Sequence, residues 1–172
     1  MDEATATQWQ AVAADSDAND PPPAELCLAR LRQLAANDNG FAVDELTHSL
    51  QCAALAEADG AGDEVLLAAL FHDVGHLFGD VGHGAIAAEV IAPFVPADLA
   101  AVVRYHTDFT SRHYARFFDD DPDRRLRHRG QPWFDLAEQF ADEWDQRAFD
   151  PTYPTPPVEH FAPLVRQLVV ER

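Results

Sequence analysis

The chain has 172 residues, of which 12 are basic and 30 acidic, for a formal net charge of -18. That length suits one domain able to bury roughly 70% of its unfolded surface, and an apolar content of 47% is that of a globular rather than a disordered chain. So acidic a surface repels nucleic acid and anionic membrane, and neither is expected as a partner. All the basic residues are Arg, which excludes a lysine Schiff base or a P-loop lysine and fits a high-salt or GC-rich source.

The cysteines, Cys27 and Cys52, sit among Leu and Ala and read as buried thiols in a reducing compartment. No apolar run approaches the ~20 residues that span a bilayer. The start, Met1-Asp2-Glu3, lacks the basic opening and apolar core of a signal peptide. The expectation is a soluble cytoplasmic protein, a monomer or weak homodimer, acting on a small molecule.

In chain order, residues 1–21 read as a flexible N-terminal arm with one helical turn around Trp9, ahead of a single folded domain over 22–172. A first helix carries Leu26, the stem of Arg30, Leu31 and Leu34, and ends at Asn39-Gly40. A second runs from about Val43 to Ala58, closed by Asp59-Gly60. A third starts with Asp63 as N-cap and carries Val65, Leu66, Ala69 and Leu70 to His72. A fourth spans Gly82 to Ile91, and Pro96 opens a fifth through Leu99, Val102 and Val103 to about His106. Residues 107–131 read as irregular and charged. Pro132 opens a sixth helix with Trp133, Leu136, Ala137, Phe140 and Trp144 on one apolar face, and a last helix runs from about Val158 to Val170. Strand alternation is absent, so the class is all-α: a bundle of about six or seven helices.

Chemistry concentrates in the histidines. His72-Asp73 offers an imidazole and a carboxylate about 100° apart on a helix, able to grasp one cation, while the second carboxylate oxygen can reach another. A lone helical His is usually a surface or satisfied core residue, and a His-Asp pair alone is common by chance. Here, however, His48 lies 24 residues upstream, His76, His83 and His106 follow, and Asp145 sits on an amphipathic helix. Gly75 is also costly inside a helix, by ~1 kcal/mol relative to Ala, so another constraint should justify it. A metal site is the better reading.

The series His48, His72-Asp73 and Asp145 resembles the H…HD…D signature of the HD-domain superfamily, over about residues 24–168. The runs His48-Ser-Leu-Gln-Cys-Ala and Leu-Phe-His72-Asp-Val-Gly-His76-Leu resemble its mixed-valent di-iron oxygenases, among them the phosphonate-cleaving enzymes and, more remotely, myo-inositol oxygenase. That branch carries two extra histidines, matched by His83 and His106. The resemblance implies one metal on His48, His72, Asp73 and Asp145, and a second on His83, His106 and the other oxygen of Asp73. It implies two iron ions, Fe(II)/Fe(III), with dioxygen as co-substrate and oxidative cleavage of a C–C or C–P bond in a small hydroxylated substrate. Two histidines and a carboxylate with open positions is the ligand logic of non-haem iron oxygenases, although the ligands alone also admit manganese or zinc. Asp73 would act at the centre. His76, one turn beyond His72, would face the substrate or hold a neighbouring group, the alternative being a helix C-terminal histidine stabilised by the dipole.

The pattern departs from the phosphonate-cleaving members at three places. Their Tyr and Glu on the loop before the first histidine have no Tyr counterpart in 37–45; Phe41 stands in that loop as a candidate substrate contact, and Glu45 is three residues from His48. Their phosphonate-binding Lys falls at Thr110, which remains a candidate substrate contact, and their Arg before the final Asp at Asp142. Arg112 could replace them as an anion clamp, since 107–131 holds six arginines against five acids, net +1, with the remainder at -19. Its bland alternative is a loop whose arginines only relieve the acidic field. Asp142 and Asp108, with Phe109, Tyr114, Trp133 or Trp144, could instead favour an ammonium group, although the tryptophans fit core packing. Substrate charge stays open. The competing functions are a metal-dependent phosphohydrolase acting on a nucleotide or other phosphoester, and a non-catalytic ligand-binding HD module, against which the intact ligand set argues.

Overall fold

The structure is a computed structural model that describes residues 4–19, 22–38 and 40–170. Among these there are eight α-helices and no strand: α1 (Ala6–Asn19), α2 (Pro23–Gln33), α3 (Glu45–Ala58), α4 (Asp63–Phe71), α5 (His83–Ile91), α6 (Ala97–Tyr114), α7 (Phe134–Gln139) and α8 (Val158–Leu168). Short 3-10 turns continue α2 and α4, and a π-helical turn, Phe140–Asp145, continues α7. The all-α expectation therefore holds, with α2–α8 forming the bundle.

The bundle is built from packed neighbours. Short connections fold α3 back on α4 and α5 back on α6, while α8 packs on α2 and α4. The π-turn lies against both α3 and α6. Leu28, Leu31, Leu34, Leu67, Leu70, Phe109, Phe140 and Trp144 are buried at the centre, each worth about 2–5 kcal/mol against truncation to Ala.

Several elements differ from the sequence reading, each for a visible reason. The N-terminal arm forms a 14-residue helix rather than a single turn. Its start is a reciprocal cap, in which Thr5 Oγ1 accepts from the Gln8 amide at 3.3 Å and Gln8 Oε1 accepts from the Thr5 amide at 2.8 Å. Its side chains from Ala6 to Asp15 are nevertheless exposed. Leu26 is exposed, and the buried face of α2 is Ala24, Leu28 and Leu31. Gly62, not Asp63, is the N-cap of α4. Residues 107–114 are helical, because Phe109 and Thr110 continue the buried row of Val102, Val103 and His106.

Candidate metal centre

His72 and Asp73 do not lie within a helix. α4 ends at Phe71, His72 caps it, and Asp73 (φ -107°, ψ 7°) starts the turn into Val74–Leu77. This exit lets Asp73 present its two oxygens to opposite sides. Oδ2 lies 3.3 Å from His48 Nε2 and 3.2 Å from His72 Nε2, and Oδ1 lies 3.3 Å from both His83 Nε2 and His106 Nε2. Asp145 Oδ1, at the end of the π-turn, closes the first group at 3.3 Å from His48 Nε2.

The hydrogen bonds of the four imidazoles fix their tautomers. His48 Nδ1 donates to Ala148 O (3.1 Å), His72 to Ala69 O (2.8 Å), His83 to Asp80 O (2.8 Å) and His106 to Val103 O (2.7 Å). A carbonyl only accepts, so every Nδ1 carries a hydrogen and every neutral Nε2 presents a lone pair inward. Yet His48 Nε2 and His72 Nε2 are 3.1 Å apart, and His83 Nε2 and His106 Nε2 are 3.2 Å apart. Two lone pairs at that separation repel unless a cation lies between them. Asp73 Oδ1 and Asp145 Oδ2 are buried with no hydrogen-bond donor among the described residues, which is costly for any buried oxygen without a cation. The donor set is nitrogen and carboxylate oxygen without sulfur, so these residues could hold transition-metal ions, with Asp73 facing both groups.

Electrostatics agree. Burial alone would lower His48, but hydrogen bonds to Asp145 and Asp73 override it and push its pKa up to about 9. His72 rises in the same way against its burial, beside Asp73. Despite burial, Asp73 is held well below the usual carboxylate range by His72, His106 and His48, and Asp145 is lowered by His48 and His72. Protons on His48 and His72 would thus stand where a cation would sit in the first group, whereas burial lowers His83 of the second group to about 4 and leaves its Nε2 unprotonated.

Two glycines allow the second group to form. A Cβ on Gly75 would stand 2.1 Å from His83 O, so only glycine lets this turn lie against the start of α5. Gly75 lies in the 3-10 turn and not inside an α-helix, so this close approach, rather than a helix cost, is what requires glycine there. A Cβ on Gly84 would meet Val103 O at 3.0 Å and His106 Cε1 at 3.1 Å, so α5 and α6 also close through a small residue.

Above the centre opens a cavity of about 830 Å3. His76, Thr110 and Phe41, three of the residues expected at the substrate, line it. His76 stacks on His83 (centroids 3.9 Å apart), and its Nδ1 is 3.1 Å from Asp80 Oδ1. Arg112 does not line the cavity; it is bonded to Asp142 and lies 3.7 Å from Glu138. The acids considered for an ammonium group are engaged as well, Asp142 with Arg112 and His113, and Asp108 with His128 at 2.8 Å. Phe109, Trp133 and Trp144 belong to the core.

Sequence reasoning noted the position of Glu45 but gave no role to it or to three further contributors. Glu45 is buried on the cavity wall within ligand reach of His48 and Asp73, and its pKa is raised by burial and by Asp73. Gln51 clamps the chain after the π-turn, donating to Asp150 O (2.8 Å) and accepting from the Asp150 amide (3.2 Å). Phe149 stacks on His48 (centroids 4.1 Å apart). His113 lines the cavity and is held by Asp142 at 2.9 Å. Gln51 was legible in principle, as it shares a face of α3 with His48 at i+3.

The HD-domain family profile matches residues 46–149, from just before His48 to just beyond Asp145. The chain belongs to the HD-domain family. It is also 28% identical to the [1-hydroxy-2-(trimethylamino)ethyl]phosphonate dioxygenase (glycine-betaine-forming) of Leisingera caerulea. That alignment of 162 residues covers 76% of this chain and 81% of the relative. The similarity to a phosphonate dioxygenase agrees with the oxygenase branch that the motifs around His48 and His72 resemble.

Proposed function

We propose that the protein is a dioxygen-dependent di-iron oxygenase that oxidatively cleaves a C–C or C–P bond of a hydroxylated small molecule. The observation that carries this reading is the bridging Asp73, each of whose oxygens faces two Nε2 atoms at 3.2–3.3 Å. His48, His72, Asp73 and Asp145 would hold one ion, and His83, His106 and Asp73 the other. Two iron ions there, Fe(II)/Fe(III), would supply redox chemistry and open positions for substrate and dioxygen.

The chain's own residues do the remainder. The four Nδ1–H bonds to carbonyls keep the Nε2 lone pairs aimed inward, so little reorganises during turnover. The second group has fewer protein ligands and faces the cavity, so the substrate hydroxyl approaches there. His76, beside Asp73 and bonded to Asp80, is placed to hold or pass the proton of that hydroxyl. Phe149 and Phe41, in contact at 4.5 Å between centroids, shield the His48 side from water. Phosphoester hydrolysis is the weaker reading, because the relative at 28% identity is a dioxygenase. The free thiols of Cys27 and Cys52 support a reducing cytoplasmic setting, and among the described residues no helix is long and apolar enough to cross a membrane. We place it there as a monomer or weak homodimer.

The test is anaerobic purification under reducing conditions with metal quantification and EPR. Two irons per chain with a mixed-valent signal are expected. Two tightly bound zinc or manganese ions with phosphoester turnover would sink the proposal.

A further inference from the structure

We propose that the outer part of the cavity is a subsite for a bulky, uncharged apolar group on the substrate, such as an aryl ring. The inference rests on the oxygenase reading only for the end of the substrate that meets the metals. Three observations support it.

The first is size. A volume of about 830 Å3 lies high in the range of roughly 300–1,000 Å3 that accommodates drug-sized ligands. A two- or three-carbon hydroxylated compound would leave most of that space to water.

The second is the wall. Phe41 and Phe149 line it in ring contact with each other, as do Tyr114 and Phe118, and Phe117 lines it too. Phe41, Phe117 and Phe118 are 60%, 68% and 74% exposed, although each borders the cavity. Exposed aromatic rings gathered at one mouth are unfavourable in water and are expected where a ligand covers them. The occupant is small rather than macromolecular because the patch continues inward to the candidate metal centre.

The third is charge. No lining residue is Arg among those described, and the chain has no Lys. Of the neighbouring arginines, Arg112 is bonded to Asp142, while two contact wall residues without lining the cavity themselves: Arg124 on Tyr114 Oη (3.1 Å) and Thr107 O (3.2 Å), and Arg116 over the ring of Phe117 (4.7 Å). No guanidinium among the described residues therefore lines the cavity directly. The acids offer little more to a cation, since Asp80 is paired with His76, and Glu45 lies at the floor beside His48 and Asp73. Aromatic area is what the outer walls provide.

The test measures binding rather than turnover. Isothermal titration of the anaerobic, metal-loaded protein would use three hydroxyl compounds: 1-phenylethane-1,2-diol, choline and hydroxymethylphosphonate. The aryl diol is expected to bind about 10-fold or more tightly than the other two. Phe117→Ala with Phe118→Ala should weaken the aryl diol by about 5–10-fold while leaving metal content and the other two affinities unchanged. Both rings are exposed, so this variant keeps its fold. Tightest binding by choline or by the phosphonate, no measurable binding of the aryl diol, or an unchanged aryl diol affinity in the double variant would each overturn the subsite. The titration reads the subsite with any bound metal, so a protein that proves to hold zinc would fail the oxygenase reading without deciding this one.

Discussion

At the scale of single residues, the centre depends on what glycine omits. A methyl group on Gly75 would overlap the carbonyl of His83, whereas one on Gly84 would only press against Val103 O and the His106 ring. Backbone cannot give way as a flexible side chain can, so Gly75→Ala must push α5 outward and carry His83 away from Asp73. We expect it to lose one metal equivalent and about 3 kcal/mol or more of stability, and Gly84→Ala to lose about 1 kcal/mol and keep both metals. Metal quantification and thermal unfolding of the pair check this; equal behaviour would mean that the turn is looser than its geometry. The protonation of His48 gives a second residue-scale prediction. Its folded pKa of about 9 stands above the unfolded value near 6.5. In metal-free protein the resulting stability is fully present below 6.5 and lost as pH rises through 9. Metal needs the deprotonated ring, so the loaded protein changes in the opposite sense. Melting curves of chelated and loaded protein between those pH values should therefore diverge as pH rises.

At the scale of elements, the π-turn decides where Asp145, the last of the proposed ligands, falls. In a continuous α-helix the apolar face Trp133, Leu136, Ala137, Phe140 and Trp144 would leave Asp145 to one side. The wider turn, marked by Gln146 N bonding to Ala141 O at 3.0 Å, buries Trp144 and Asp145 together. Trp144 fixes the register by donating from Nε1 to Asp59 Oδ2 at 2.9 Å. Trp144→Phe should keep the apolar packing, cost about 1 kcal/mol and speed release of the metal bound by Asp145, read by transfer to a chelator. An unchanged release rate would place the register elsewhere, in Gln51 and its grip on Asp150. These elements also show what a sequence can carry. Periodicity located the helices because burial enforces it, and the resemblance carried by the runs around His48 and His72-Asp73 named His83, His106 and Asp145 as well, residues that the fold does bring together. The π-turn left no periodic trace, since it breaks the period that reading relies on. The helical continuation through Phe109 was masked by the charged side chains around it. The Thr5-x-x-Gln8 cap was present in the sequence but had no apolar run after it.

At the scale of the whole molecule, the charge of -18 opposes compaction. The six arginines of 107–131 temper this locally, and several join that segment to itself and to α6, the π-turn and α7: Arg124 to Asp108 and Asp120, Arg125 to Asp123 and Glu138, Arg112 to Asp142. Ion pairs also cross from α2 to α8, with Arg32 bonded to Glu159 (3.0 Å) and Arg166 to Glu25 (2.7 Å). Added salt weakens both the attractions and the repulsion, so magnitude decides the sign. Exposed pairs contribute roughly 0–1 kcal/mol each and hold charges in direct contact. The excess of acids over bases is spread over the whole surface, where most separations exceed the ~3 Å screening length of about 1 M salt. Screening therefore relieves more repulsion than attraction. The melting temperature should rise by several degrees from about 0.05 to about 1 M sodium chloride, to a similar extent with potassium chloride and in both metal-loaded and metal-free protein. A flat or falling curve would show instead that the arginine pairs outweigh the acidic field. A rise confined to the metal-free protein would place the effect at the unfilled carboxylates Asp73 and Asp145 rather than at the surface.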